Sequence, residues 1–322
     1  MTGKLAVVFG GSGFVGRNVV RELARRGWRV RVGVRRPHLA QFLRPMGAVG
    51  QIQLSQVNLR HQPSVAAAME GADAVINLVG IMYQEGAQSF QSVQSAGAEI
   101  ISRLASDAGA SNLVHVSAIG ADAESESLYA RTKGEGENAA RKYFRDATIV
   151  RPSIVFGPED KFFNKFATMA TMSPALPLIG GGKTKFQPIY VDDLADAICA
   201  MLETGTAKRR TYEIGGPTIY SFRKLMELML SEIGRQRLLA PVPFPVASML
   251  GMFGEIVGRA PFIEPILTRD QVKLLRRDNV VSSSSDIGTI DELGIDPKSV
   301  EAILPTYMVP YRRYGQFAEE AA

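Results

Sequence analysis

Tyr129 and Lys133 stand four residues apart, a spacing that puts both side chains on one face of a helix. There the ammonium group could lower the pKa of the phenol and hold a ribose hydroxyl. Tyr129 would then be free to act as a general acid or base beside a hydride position. Ser117, at the end of an apolar run just upstream, could hydrogen-bond a substrate carbonyl. Near the start of the chain Gly10, Gly13 and Gly16 recur every third residue. They lie between apolar Leu5–Phe9 and a segment carrying Val19, Val20, Leu23 and Ala24 on one helical face. Strand, glycine turn, amphipathic helix and second strand is the order a dinucleotide pyrophosphate requires. Gly10 allows the tight turn, Gly13 lets the main chain approach the phosphates, and Gly16 lets the helix pack on the strand. The turn and first helical residues, Ser12, Phe14 and Val15 among them, would offer N–H groups and a partial positive charge. The alternative is that the glycines only shape a turn.

The second strand, Arg29–Val34, narrows the ligand. A site for NAD usually ends this strand with a carboxylate that holds the ribose 2′-hydroxyl. Here Arg35 and Arg36 follow instead, with no acidic residue nearby. A guanidinium matches a phosphate in charge and fork geometry, so the 2′-phosphate of NADP(H) is favoured. Two solvated surface arginines are the competing reading.

These residues need a scaffold, and the remaining pattern supplies one. Strands at Gln51–Leu59, Ala74–Val79, Leu113–Ser117 and Ala147–Val150 alternate with helices at Pro37–Leu43, Pro63–Glu70, Phe90–Ala108 and Tyr129–Phe144. That alternation implies an α/β fold: a Rossmann-type doubly wound parallel sheet covered on both faces. Residues 1–156 form the nucleotide-binding domain and 186–217 return to it. Residues 157–185 and 218–322 form a smaller, partly helical C-terminal domain. Within it Phe162–Thr171 reads as helix, Leu176–Gln187 as a hairpin around Gly180–Gly182, and Ser221–Ile233 as a capped helix. Asp192 and Asp193 open a helix, where carboxylates cap free N–H groups, so they read as structural. After Pro241–Pro245 comes Val246–Val257, apolar and rich in Met, Phe and Gly, then a proline-broken run to Leu267. This segment is too short to span a bilayer but could lie against one, or pack on its own domain.

Bulk properties restrict the class. The 322 residues are 46% hydrophobic and 21% charged, ordinary values for a globular chain with a sizeable core. Cys199 is the only cysteine, so no internal disulfide forms and a reducing compartment is expected. The net charge of +5 and pI near 9.3 favour an acidic partner, a phosphorylated ligand or an anionic membrane surface. Recognition helices, zinc spacings and stacking motifs are missing from the sequence, which argues against nucleic acid. His38, His61 and His115 share no ligand spacing, so no metal is expected; His115 reads as a packed strand residue. The first strand starts near residue 4, which leaves no room for a signal or transit peptide in this numbering.

Together, Gly10-x-x-Gly13-x-x-Gly16, Ser117, Tyr129-x-x-x-Lys133, Arg151–Pro158, Val191–Leu194 and Tyr212–Pro217 resemble the extended or atypical short-chain dehydrogenase/reductase superfamily. The resemblance spans about residues 4–217 and keeps the motifs in order. It extends the cofactor set to Asn58 and Leu59, at the adenine position, and to Val79, Gly80 and Pro152. More narrowly, His115–Asp122, Tyr129–Glu135, Gly157–Phe163 and the paired arginines are similar to the nucleotide-binding accessory subunits of respiratory complex I. That likeness implies tightly held NADPH in a structural role and other complex I subunits as partners. It also implies a peripheral position on the cytoplasmic face of a bacterial inner membrane, or on the mitochondrial matrix face. The missing presequence favours the bacterial setting. The chain departs from the enzyme pattern in three places: Phe9 where Thr usually stands, Gln94 where an asparagine often completes the catalytic set, and Asn58 where Asp is common. Two readings therefore stand side by side. One is a structural complex I subunit stabilised by NADPH. The other is an NADPH-dependent reductase or epimerase using Tyr129, Lys133 and Ser117 on a small carbonyl or nucleotide-sugar substrate.

Overall fold

The computed structural model describes residues 3–86, 88–203, 208–257, 265, 267–313 and 315. In chain order its elements begin with β1 (Leu5–Phe9), α1 (Phe14–Arg25), β2 (Arg29–Val34), β3 (Ile52–Gln56), α2 (Gln62–Met69) and β4 (Ala74–Asn77). Then come α3 (Ala96–Asp107), β5 (Asn112–Val116), α4 (Leu128–Tyr143), β6 (Thr148–Pro152), β7 (Val155–Phe156), α5 (Phe163–Met172) and β8 (Ala175–Ile179). The chain continues through β9 (Lys185–Phe186), β10 (Ile189–Tyr190), α6 (Val191–Glu203), β11 (Thr211–Ile214), β12 (Tyr220–Ser221), α7 (Phe222–Glu232) and β13 (Leu238–Val242). It closes with α8 (Phe244–Val257), α9 (Arg269–Leu274), β14 (Ile287–Gly288) and α10 (Val300–Ile303).

Contacts divide the chain into two units. The first comprises Met1–Pro152, Val191–Ile214 and Ser282–Asp296; the second comprises Ser153–Tyr190, Gly215–Val281 and Pro297–Ala322. The sequence pattern places Ser282–Asp296 in the smaller domain. It belongs to the first unit because β14 adds a strand beside β11, where Gly288 lies under the Tyr212 ring.

In the first unit eight parallel strands run in the order β14-β11-β6-β5-β4-β1-β2-β3. This is a doubly wound sheet whose strand order reverses between β1 and β4, where ligands bind at the carboxyl ends. The central strands are buried on both sides, hence their continuous Val, Ile and Leu runs, while the edge strand β3 is partly exposed. On one face Val7, Phe9, Val75, Leu113 and Ile149 pack with Val65, Met69 and Ile101 from α2 and α3. α1 packs against α6, burying Val19, Val20, Leu23, Leu194, Ile198 and Met201. Arg26, held by Glu22 of α1 at 2.6 Å, fastens the two helices by reaching Asp196 at 3.0 Å and Glu203 at 2.7 Å on α6. Asp192, in the first turn of α6, pairs with Arg21 at 2.5 Å.

The second unit has its own core, in which Phe162, Phe163, Phe166, Phe186 and Phe222 meet edge to face. Leu176, Leu178, Met226, Met229, Leu304 and Met308 complete it. Buried Asp160 accepts hydrogen bonds from the N–H groups of Gly157, Phe162 and Asn164, and from the Tyr307 hydroxyl at 2.7 Å. Ser221 caps α7 by accepting from the Lys224 N–H, as expected. The hairpin expected at Leu176–Gln187 does not form. Gly180, Gly181 and Gly182 do turn the chain with positive φ, but β8 pairs in parallel with β13, and β9 pairs antiparallel with β12. Part of the run leading to Leu267, residues 258–264, lies outside the described residues.

Candidate functional site

Gly10 follows directly from β1 with φ +80°, and a Cβ there would stand 2.9 Å from the main chain of Leu78, just beyond β4. That conformation and that approach leave room only for glycine. A Cβ on Gly16 would lie 2.2 Å from the Gly10 carbonyl oxygen, so α1 sits flush on the turn. Gly13 is the N-cap of α1 and supplies no side-chain bond, and the first turn carries no acidic residue. The leading N–H groups of Phe14, Val15 and Gly16 are thus left to a ligand, with the positive end of the helix behind them. Ser12 is partly exposed within the turn. These features fit a dinucleotide pyrophosphate.

Arg17 was not singled out from the sequence, yet its guanidinium lies over the Phe42 ring at 4.8 Å. It donates to the carbonyl oxygens of Ser12 at 3.3 Å and Gly13 at 3.4 Å. The cation is therefore fixed beside the glycine turn. Its position one turn past Gly13 was the available signal. Arg35 and Arg36 follow β2 and are exposed. Arg35 donates to Gln88 Oε1 at 2.7 Å, while the Arg36 side chain has no partner among the described residues.

Asn58 uses Oδ1 to accept from the Arg60 N–H, a local turn that occupies part of the proposed adenine reader. Leu59 packs inward, toward Gly97 of α3. Val79 and Gly80 leave β4 through a turn held by Asn77, whose Oδ1 accepts from the Val79 N–H at 3.1 Å. The other end of that amide, Nδ2, lies 3.0 Å from His115 Nδ1. Asn77 thus donates to a neutral imidazole, since burial pushes the His115 pKa down to about 3. Asn77 leaves no signal in the sequence, because a strand-end Asn carries no distinctive spacing.

The chemistry-bearing groups gather where β5 meets α4. Lys133 is buried, its Nζ donates to the Val116 carbonyl oxygen at 3.1 Å, and a Cβ on Gly80 would stand 3.3 Å from it. Burial lowers its pKa to about 8, against a partial opposing pull from Glu137. Ser117 is the next residue after Val116, and its buried Oγ has no partner among the described residues. Tyr129 sits one turn from Lys133, with its ring edge-on to Phe90 at 5.9 Å. Pro152 ends β6 and accepts from the Ile119 N–H, closing the floor beyond Ser117. Of the residues named from the sequence, Lys133 meets Gly80 and anchors on the residue before Ser117, while Tyr129 stands one turn away on the same helix. Gln94, in a single π-helical turn at Gln91–Ser95, donates to the Ile81 carbonyl and accepts from Thr132 Oγ1. Its amide therefore holds α4 against the β4 exit. Among the described residues no group of His, Cys, Asp and Glu could hold a metal ion.

A family profile described as NAD dependent epimerase/dehydratase family matches residues 6–215. "NADH dehydrogenase [ubiquinone] 1 alpha subcomplex subunit 9, mitochondrial" of Arabidopsis thaliana is 34% identical over 98% of this chain and 80% of its own. "NADH-ubiquinone oxidoreductase 40 kDa subunit, mitochondrial" of Neurospora crassa is 30% identical over 96% of this chain and 80% of its own. Among solved structures, the dTDP-glucose 4,6-dehydratase DesIV of Streptomyces venezuelae superposes with TM-score 0.72 at 21% identity. That alignment covers 97% of this chain and 98% of the other, and shares the fold alone. The chain belongs to the NAD dependent epimerase/dehydratase family and, within it, to the family of these NADH:ubiquinone oxidoreductase accessory subunits.

Proposed function

We propose that the chain is an NADP(H)-binding accessory subunit of respiratory complex I, in which the nucleotide serves architecture and is not turned over. The observation that carries this reading is the extent of the likeness to complex I subunits. It runs through nearly the whole chain, the second unit included, where a substrate-specific enzyme would be free to diverge. Arg36, without a partner among the described residues and with no carboxylate at the end of β2, supports the 2′-phosphate and so NADP(H) over NAD(H). Gln94, in the place of the catalytic asparagine, spends its amide on Ile81 and Thr132 and supports a structural role. A ligand that binds only the folded state adds about 4 kcal/mol at roughly a thousand-fold excess over Kd, so occupancy alone can stabilise the subunit.

When bound, the nicotinamide ring supplies a hydride donor or acceptor. Around it Lys133 would hold the ribose, and Tyr129 and Ser117 would face the ring. In α8, Val246, Met249, Leu250, Met252 and Phe253 are exposed, and Gly251 and Gly254 seat the opposite face on residues 267–269. Exposed Arg269, Lys273, Arg276 and Arg277 lie on or just after α9, which packs on α8. An apolar face beside basic residues suits an anionic membrane surface. No helix among the described residues is long and apolar enough to cross a membrane. We therefore read the subunit as peripheral, on the cytoplasmic face of a bacterial inner membrane or the matrix face of a mitochondrial one.

The buried Lys133 tied to the residue before Ser117, with Tyr129 one turn away on α4, supports one other reading, an active NADPH-dependent reductase or epimerase on a small carbonyl or nucleotide-sugar substrate. Tyr129→Phe separates the two. The subunit reading expects unchanged respiratory turnover in assembled complex. A lost NADPH-dependent rate with a soluble carbonyl substrate favours the enzyme.

A further inference from the structure

α7 ends in a left-handed glycine. Gly234 has φ +61°, its N–H donates to the Ser231 carbonyl, and the Arg235 N–H reaches back to the Leu230 carbonyl. This paired closure fixes the backbone from which the next side chains project. Gly234, Arg235, Gln236 and Arg237, joined by Arg313, line an open cavity of about 440 Å³ within the second unit.

Carbonyl groups hold the guanidinium groups in this cavity. Arg235 Nε donates to the Tyr311 carbonyl oxygen at 3.0 Å. Arg237 Nε donates to the Ala170 carbonyl oxygen at 2.7 Å, and its Nη1 to the Gln236 carbonyl oxygen at 2.8 Å. Neither Arg235 nor Arg237 forms an ion pair among the described residues, and neither Nη group of Arg235 has a partner. Arg26, Arg151 and Arg210, by contrast, each pair with a carboxylate. Glu232, on the last turn of α7, is itself held by Arg312. Positive charge at this loop is therefore anchored in place and left uncompensated. Anchoring through Nε keeps the terminal N–H groups of Arg235 in a fixed fork, the geometry that suits phosphate oxygens.

Two large apolar side chains flank the same loop. Leu238 follows Arg237 directly and is 69% exposed, and Met172, two residues past the carbonyl that anchors Arg237, is 83% exposed. Arginine forks beside exposed aliphatic chains suit a ligand with a phosphate head and an apolar body.

We propose that this cavity binds a phosphoryl group, and that the phosphate of an anionic phospholipid is its source. The site is separate from the nucleotide fingerprint, which lies wholly in the first unit. It rests on the membrane-facing reading of the second unit but not on the nucleotide assignment.

The test uses the full chain and its Arg235→Gln/Arg237→Gln variant, each checked for folding by urea denaturation. Cosedimentation is measured with vesicles of phosphatidylcholine alone or mixed with phosphatidylglycerol, and thermal stabilisation with inorganic phosphate. Near an anionic surface each arginine is worth about fivefold, so the variant is expected to lose about 25-fold in preference for the mixed vesicles. A variant that keeps that preference but loses stabilisation by inorganic phosphate leaves the site standing, with a soluble phosphate as its source. A folded variant that matches the native chain in both measurements overturns the proposal. Should the double variant fold poorly, Arg313→Gln carries the same comparison. Met252→Ser/Phe253→Ser would weaken binding to both kinds of vesicle, so failure of the α8 surface remains distinguishable.

Discussion

Lys133 Nζ donates across 3.1 Å to the main-chain carbonyl of Val116, the residue immediately before Ser117. One buried bond thus ties the helix that carries Tyr129 to the strand that presents the serine. It also holds an ammonium group where water does not reach, and the cost appears as the depressed pKa of about 8.

That cost makes a pH prediction. The folded pKa of Lys133 lies below its unfolded value of 10.5, so between about 8 and 10.5 the unfolded chain binds more protons. Stability of the nucleotide-free protein therefore rises with pH through that window, and the full penalty is present below it. Lys133→Met should remove the rise and raise stability at neutral pH by roughly 2 kcal/mol, after allowing for the lost hydrogen bond. Urea denaturation at several pH values checks both.

Two of the fingerprint glycines should separate by role. In Gly16→Ala the new methyl would lie 2.2 Å from the Gly10 carbonyl, so folding should lose about 3 kcal/mol. In Gly13→Ala the nearest approach is 3.3 Å, so the fold should lose less than about 1 kcal/mol. Its NADPH affinity should nevertheless fall at least tenfold, as the methyl meets the pyrophosphate. Denaturation and equilibrium binding of both variants read the contrast.

Charge reversal at Arg36 should weaken NADPH by about a hundredfold and NADH only slightly. Arg35→Glu should cost less, because Arg35 already leans on Gln88. Equal losses for the two nucleotides in a titration would remove the 2′-phosphate assignment.

Met252→Ser/Phe253→Ser replaces side chains that are 41% and 56% exposed. Unfolding should shift by no more than about 0.5 kcal/mol, since little burial is lost. Retention on membranes washed with salt should fall. A chain that stays bound unchanged would show that α8 faces water.

How much of this was legible in the sequence follows from how local each signal is. Leu5–Phe9, Gly10, Gly13 and Gly16 lie within a single strand–turn–helix unit, so periodicity and glycine spacing identify them. Tyr129 and Lys133 share a helix, and Ser117 directly follows a strand, so a short window is enough to single them out. β8 was misread because its partner Leu238–Val242 lies far along the chain, while the nearby glycines imitate a hairpin turn. β14 pairs only two residues with β11, too short a run to carry a period. Arg17 and Asn77 act through main-chain carbonyls and a single amide, contacts that leave no pattern in residue type. The cavity arginines escaped for a related reason. Charge is visible in a sequence, but whether a carboxylate answers it depends on the fold.

The most direct test of the central claim is to extract the protein from native membranes in mild detergent, size the assembly, denature it and assay the released nucleotide. The chain is expected to travel with complex I and to release stoichiometric NADP(H). A chain that elutes alone, releases no nucleotide and melts at the same temperature with or without added NADPH would contradict it.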